Sequence, residues 1–481
     1  MFAHVLSVVL LAFPAPVTQQ SAGPEEFLVE RMAAVHAPGL SYALVNRDRI
    51  VSSGAWGTDG FGRPMTTRTP VGFGSVAKPV TATAVLRLVD AGTVGLDDPV
   101  VEHLPWFRLA DQEHAARITV RHLLEQTSGL APADGYARSD IGDNAPGALR
   151  RWVEGLADVS PNAAPGERHQ YNPANAQILG AMVEEVSGLT FAEFLDREVF
   201  GPLDMADAIA DADAAEELPP GHEYHFGSVR VSDAEFDTSG VPYGYLAGSV
   251  TDLAHLAILH TDAGRFHGRQ VLSERTVRDI QRGGPRAAGG HYGLGWRVGT
   301  LDTVDTRIVW HAGASPGYHT VLITAPDTGW AVAVQQNVWS PLADEQLNAA
   351  AFGALTIALG GRPDPPADSS TRTWLLVGMG TLVLVLAGGL GWSIRRPLVP
   401  RPGRPWLAAV GWIVLGAVAA LGVGRWLPGS FDLTLRHVLL FMPDVGQLSV
   451  AVVVLGVALV LARMALLPLE LRRPGRRPSL P

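Results

Sequence analysis

Residues 72 to 92 read GFGSVAKPVTATAVLRLVDAG, which sets Ser75 three residues ahead of Lys78. Lys78 is the only lysine among the 37 lysine and arginine residues of a 481-residue chain. A helix opening near Ser75 puts both side chains on one face, one turn apart. Pro79 supports a helix start, because proline is tolerated in the first turn, where its missing N–H has no helical partner. Gly92 suits the end of that helix. The serine hydroxyl then lies at the positive end of the helix dipole, which favours developing negative charge. Serine becomes a useful nucleophile beside a proton acceptor, and arginine cannot serve, since its guanidinium stays protonated. Lysine can, once burial and neighbouring positive charge pull its pKa down from about 10.4. The pair reads as a nucleophile and its proton acceptor.

Two other stretches compete for attention. GASPG, residues 313 to 317, matches the pattern of a nucleophile elbow, but the residue after Ser315 is Pro316, which has no N–H to donate to an oxyanion. Ser315 is therefore expected in a turn. GHEYHFG contains His222, Glu223 and His225 without the spacing that puts two histidines on one helical face, so no metal site is expected.

The elements that must hold Ser75 and Lys78 follow from periodicity. LSYALV and RIVSSGAW around Asn46 to Asp48 read as an N-terminal hairpin. TRIVWHAG, YHTVLITA and WAVAVQQN read as C-terminal strands, the last two joined by the turn PDTG. Residues 75 to 290 between them carry helical periodicity, as in NAQILGAMVEEVSG. The expected fold is α+β: one antiparallel sheet built from both ends of the domain, with a helical subdomain beside it.

Composition divides the chain. The net charge of -10 is the sum of +9 over residues 371 to 481 and -19 over residues 1 to 370. An acidic domain is a poor partner for nucleic acid, which needs clustered positive charge. The absence of cysteine excludes disulfides, thiolate catalysis and zinc-thiolate sites. Residues 1 to 23 have an apolar core of about ten residues, too short for a span, and read as a signal peptide. The expected catalytic domain covers residues 24 to 359. Residues 360 to 373, GGRPDPPADSSTRT, read as a linker. Residues 374–394, 406–424 and 445–467 are each apolar and long enough to cross a hydrocarbon core of about 30 Å. The loop RRPLVPRPGRP and the tail of residues 468 to 481 hold four arginines each, against two in RWLPGSFDLTLRH. The positive-inside rule puts the first loop and the tail in the cytoplasm and the catalytic domain outside a multi-pass membrane protein. Asp444 is expected at the outer interface, and Arg463 near the cytoplasmic end, reaching for the headgroups.

The order of SVAK, LDDPVVEHLP, ITVRHLLEQTSGL, PGERHQYNPANAQILG, GYLAGSVTDLAHLA, YGLGW and HAGASPGY over about residues 25 to 355 resembles the class C β-lactamase-like serine hydrolases, which include D-alanyl-D-alanine carboxypeptidases and esterases. The resemblance implies a β-lactamase/transpeptidase-like fold and no cofactor. It makes Ser75 the acyl-accepting nucleophile and Lys78 its proton acceptor or electrostatic partner. Tyr171 stands in the family's Tyr-x-Asn motif and would relay a proton to the leaving group. The motif's asparagine is replaced by Pro173. Asn172 can cap the following helix with Pro173 at its first position, and Asn175 or Asn172 would have to supply the missing amide. His311 to Gly313 stands for the third motif, with Gly313 leaving room for substrate and the N–H of Ala314 joining that of Ser75 as an oxyanion hole. A neutral histidine is a weaker anchor for a substrate carboxylate than a permanent cation.

The reading that follows is a membrane-anchored serine hydrolase that forms an acyl-enzyme on Ser75. Its acyl donors would be D-amino-acid peptides of cell-wall type, small esters or β-lactams, with membrane lipid as its other partner. The alternative is a non-hydrolytic, penicillin-binding-like sensor or binding module that signals through the membrane helices. Transport is disfavoured by the scarcity of charge within the spans.

Overall fold

The computed structural model describes residues 23–365, 370–395, 405–430 and 433–471. Residues 1–22 of the segment read as a signal peptide, and residues 472–481 of the basic tail, lie outside the described residues.

The sheet has eight strands, and chain order explains how distant segments meet. Strands β1 (Gly39–Asn46) and β2 (Arg49–Gly57) form the N-terminal hairpin. Strands β3 (Arg286–Ala287), β4 (Gly290–Tyr292), β5 (Arg297–Leu301), β6 (Thr306–Ser315), β7 (Tyr318–Ala325) and β8 (Trp330–Gln336) follow in the C-terminal part. The spatial order is β2-β1-β8-β7-β6-β5-β4-β3. The first and last parts of the domain pair directly, Tyr42 facing Val334 in an antiparallel β1–β8 ladder, as the sequence implies. β1 and β7 are buried almost throughout, because helices cover both faces. On one face α1 (Pro24–Ala34) and a late helix, Asp344–Ala358, pack Leu28, Ala350 and Ala354 against Leu44, Ile323 and Val332. On the other, Ala43, Val45, Leu322 and Ala333 join a larger core. That core is filled by α2 (Ala77–Asp90), α3 (Pro173–Ser187) and α4 (Val250–Thr261). Strand β3 and the first residue of β4 fall at the end of the region read as helical, residues 75 to 290, and β5 lies just beyond it; Gly289, Gly290, Gly293 and Gly295 break the alternation that would have marked these strands.

His260 on α4 is buried against Trp296, ring centroids 4.4 Å apart, and burial holds it down to about 4. An unfolded histidine titrates near 6.5. Between those values the unfolded chain takes up a proton that the folded chain refuses, so stability falls as pH drops through that window. Thermal unfolding of the full chain should show Tm falling from pH 7 to pH 4, with a shallower slope in His260→Leu. An unchanged slope in the variant would overturn this account.

The C-terminal part has three helices long and apolar enough to cross a membrane: Ser370–Arg395, Trp406–Gly429 and Pro443–Pro468. The first, α5 (Ser370–Arg395), begins inside the segment read as linker. A short helix, α6 (Leu435–Phe441), lies before the last, α7 (Pro443–Leu471). Arg463 is buried between helices, its guanidinium 4.9 Å from the Trp392 ring centroid, rather than reaching along the surface as its position near the helix end suggests. The face of the Trp392 ring thus lies against the cation.

Candidate active site

The turn bearing Ser75 is pressed against β6 so closely that only glycine fits on either side. Gly74 has φ +51, a left-handed conformation, and a Cβ there would meet the amide nitrogen of Ala314 at 2.2 Å. A Cβ on Gly313 would meet the Phe73 carbonyl oxygen at 2.0 Å and the Ser75 amide nitrogen at 2.6 Å. This contact brings Ser75, Gly313 and Ala314 together. Ser75 itself lies in a 3-10 turn, Gly74–Val76, and α2 begins at Ala77. Lys78 therefore remains in the first turn with Pro79 just behind it.

Lys78 is 3% exposed, and its Nζ donates to Ser75 Oγ at 3.1 Å and to the Tyr243 carbonyl at 2.9 Å. The ammonium lies 4.7 Å from the Tyr171 ring centroid. Burial lowers its pKa, and the positive charge of Arg297 adds to that; Tyr171 and Asp140 oppose it. A lysine so placed gives up its proton more readily than an exposed one, and the neutral amine can still hold the Tyr243 carbonyl with a remaining N–H.

His311 is also within this group, its ring centroid 6.3 Å from that of Tyr171. It is 1% exposed. Its Nδ1 faces the Ala312 carbonyl at 2.7 Å, an acceptor only, so the proton belongs there; Nε2 then accepts from the Tyr292 hydroxyl at 3.2 Å. Burial, followed by the charges of Arg297 and Lys78, holds its pKa well below the ordinary histidine range. His311 is thus neutral, and its ring braces Tyr292 instead of presenting a charge to substrate.

The cation that does face this group is Arg297, at the start of β5 opposite Trp310 of β6. Its guanidinium carbon lies 5.6 Å from the Tyr171 ring and 5.8 Å from the Tyr292 ring. No carboxylate among the described residues pairs with it. Sequence reasoning missed Arg297 because it is one arginine among many. Its only signal was its place directly after YGLGW.

Asn175 lies elsewhere. It is buried on α3, where its Nδ2 donates to Gln126 Oε1 at 2.7 Å and its Oδ1 accepts from Ser128 Oγ at 2.6 Å. Asn172 caps α3, accepting from the Ala174 N–H at 2.9 Å, and its Nδ2 donates to the Ala131 carbonyl at 2.7 Å. Both amides are committed within the helical region, so the substitution at Pro173 is not offset by either. Ser315 closes β6, and the turn follows at Pro316. His222 bonds the Asn337 carbonyl at 2.9 Å, and Glu223 pairs with Arg230 at 2.6 Å.

A sheet joining both ends of the domain thus lies beside a helical subdomain, with the buried Ser75–Lys78 pair in the turn pressed against β6. The chain belongs to the beta-lactamase family, whose model matches residues 25–355. Among curated relatives it is 30% identical to penicillin-binding protein 4 of Amycolatopsis lactamdurans over 63% of this chain and 81% of that protein. It is 23% identical to Protein flp of Staphylococcus aureus over 65% of this chain, a match spanning 62% of that protein. Among solved structures, SurE with D-Leu superposes with a TM-score of 0.57 at 26% identity, covering 72% of this chain and 77% of that one.

Proposed function

We propose that this protein is a membrane-anchored serine hydrolase whose Ser75 opens an amide or ester through an acyl-enzyme. The observation that carries this reading is the Lys78 Nζ held 3.1 Å from Ser75 Oγ in a buried, cation-flanked site. Neutral Lys78 takes the Ser75 proton as Oγ attacks the carbonyl carbon. Tyr171 passes its proton to the departing amine or alcohol and regains one from protonated Lys78, which restores both groups; water then attacks the acyl carbon, gives up its proton by the same route, and Ser75 leaves reprotonated. The N–H groups of Ser75 and Ala314 receive the oxyanion.

Arg297 favours an acyl donor with a free carboxylate beyond the scissile bond, because an unpaired guanidinium beside the site is suited to bidentate carboxylate binding. Together with a relative named for penicillin binding and a neighbour solved with D-Leu, this supports D-amino-acid peptides ahead of neutral esters. Arg297→Ala should raise KM for an acyl-D-Ala-D-Ala peptide by about ten-fold or more, the loss of one charge-assisted pair. It should leave KM for a neutral nitrophenyl ester nearly unchanged. An equal rise for both would remove the carboxylate role.

The contacts of the membrane helices support the topology. Arg372 at the start of α5 pairs with Asp444 at the start of α7, and the Phe226 N–H donates to the same carboxylate at 3.1 Å. The catalytic domain therefore shares a side with the starts of α5 and α7, and the far ends of these helices, at Arg395 and Leu471, lie on the other. By the positive-inside rule the catalytic domain, residues 24 to 359, is extracytoplasmic.

The test is intact-mass spectrometry of the full chain in detergent after a fluorophosphonate and, separately, a penicillin, with peptide mapping of any adduct. One adduct on Ser75 with repeated ester turnover is expected. A penicillin adduct without turnover of any ester or peptide would favour the sensor reading, and no adduct would overturn both.

A further inference from the structure

The catalytic lysine is tied to the membrane part of the chain by a continuous set of hydrogen bonds. Its first link is the Tyr243 carbonyl that holds Lys78. Tyr243 belongs to the helical turn Val241–Tyr245, which Thr81 of α2 also grips through the Pro242 carbonyl at 2.8 Å. The turn's two tyrosine hydroxyls both donate to Asp140 Oδ1, Tyr243 at 3.0 Å and Tyr245 at 2.9 Å. The Asp140 N–H donates back to the Tyr243 hydroxyl at 3.0 Å.

Asp140 sits in a left-handed conformation, φ 56, on a loop with no regular structure of its own. Such a backbone holds only where its surroundings over-determine it. Part of that surrounding comes from α6, between the second and third membrane helices. Arg436 donates to the Asp140 carbonyl at 2.5 Å and to the Ser139 carbonyl at 2.6 Å. The buried ring of His437 lies with Nε2 3.6 Å from Asp140 Oδ2. The helix is itself fixed in place by its Thr434 cap, by Val438 packed with Met379 of α5 and Val445 of α7, and by Phe441 against Trp339, 5.2 Å between ring centroids.

We infer that Arg436, acting through Asp140 and the Val241–Tyr245 turn, is a positioning residue for Lys78, so that the membrane domain completes the catalytic site rather than only anchoring it. The inference rests on the proposed role of Lys78. Without Arg436 the 139–140 carbonyls lose their partner, Asp140 relaxes, and the Tyr243 carbonyl no longer fixes Nζ against Ser75. A shift of this kind changes the rate of the chemical step and leaves substrate affinity almost untouched.

The experiment is fluorophosphonate inactivation of the full chain in lipid nanodiscs, resolved into the limiting rate kinact and the half-saturating concentration KI. Arg436→Ala should lower kinact by about ten-fold with KI nearly unchanged. Asp140→Asn keeps the side-chain shape and should do the same when each kinact is read on the plateau of its own pH profile, so that the charge lost beside Lys78 does not enter; it carries the test if Arg436→Ala does not fold. The double variant should be no slower than the slower single one, because both act on one path. Arg425→Ala removes a cation from the same membrane part, where it has no hydrogen bond to the catalytic domain among the described residues, and should leave kinact at the wild-type value. Wild-type kinact in Arg436→Ala or in Asp140→Asn, or additive losses in the double variant, would overturn the inference while leaving Ser75 and Lys78 in place. A wild-type chain unlabelled at Ser75 would overturn the catalytic reading and this inference with it.

Discussion

Lys78→Arg should abolish acylation of Ser75 almost as completely as Lys78→Ala, although it keeps the charge. General-base catalysis contributes about 10²- to 10⁴-fold, and arginine supplies none of it. The site also has no room: Lys78 is 3% exposed and its Nζ already contacts Ser75 Oγ and the Tyr243 carbonyl. A planar guanidinium would have to displace Tyr171, whose ring centre is 4.7 Å away. The measurement is fluorophosphonate labelling and ester turnover for wild type and both variants, with Tm as a control for folding. Both variants are expected about 10³-fold slower than wild type. An arginine variant that retained most of the activity would leave Lys78 an electrostatic role only.

How much of this was legible in the sequence depends on the range of the interaction. Ser75, Lys78 and the Asn172 cap are local patterns: spacing on a helix, a proline at its start and a side chain answering an N–H two residues on. Local physics decides them, and sequence carries it. The pairing of β1 with β8 spans nearly the whole domain but remained readable, because apolar alternation at both ends left few other partners. Arg297, Asp140 and Arg436 were not readable. Each matters through the groups that folding brings to it; apart from the YGLGW that precedes Arg297, nothing in the immediate neighbours marks these residues among the other charged ones. Asn175 shows the converse: a plausible type near the right motif, turned by the helix into the Gln126 and Ser128 network.

The same limit applies to Gly313, whose importance lies in a contact no local pattern reports. Its position lets β6 touch the Ser75 turn backbone to backbone, and the three atoms nearest to a Cβ there are all main chain: the Phe73 oxygen at 2.0 Å and the Ser75 and Val76 nitrogens at 2.6 Å. No rotamer change relieves such a clash, so Gly313→Ala must push the strand and the turn apart. Overpacking of this kind costs about 1 to 3 kcal/mol in stability. The catalytic cost should be larger. The N–H groups of Ser75 and Ala314 lie on the two sides of that contact, and separating them should disable the oxyanion site proposed for them, an effect of about 10²- to 10³-fold in kcat for one lost donor. Steady-state turnover of a nitrophenyl ester by Gly313→Ala should therefore fall by at least about 10²-fold. Tm should drop by only a few degrees, with Ser75 and Lys78 still hydrogen-bonded. A variant with near-wild-type kcat and a lowered Tm would show that the close approach serves packing alone and would move the oxyanion donors elsewhere.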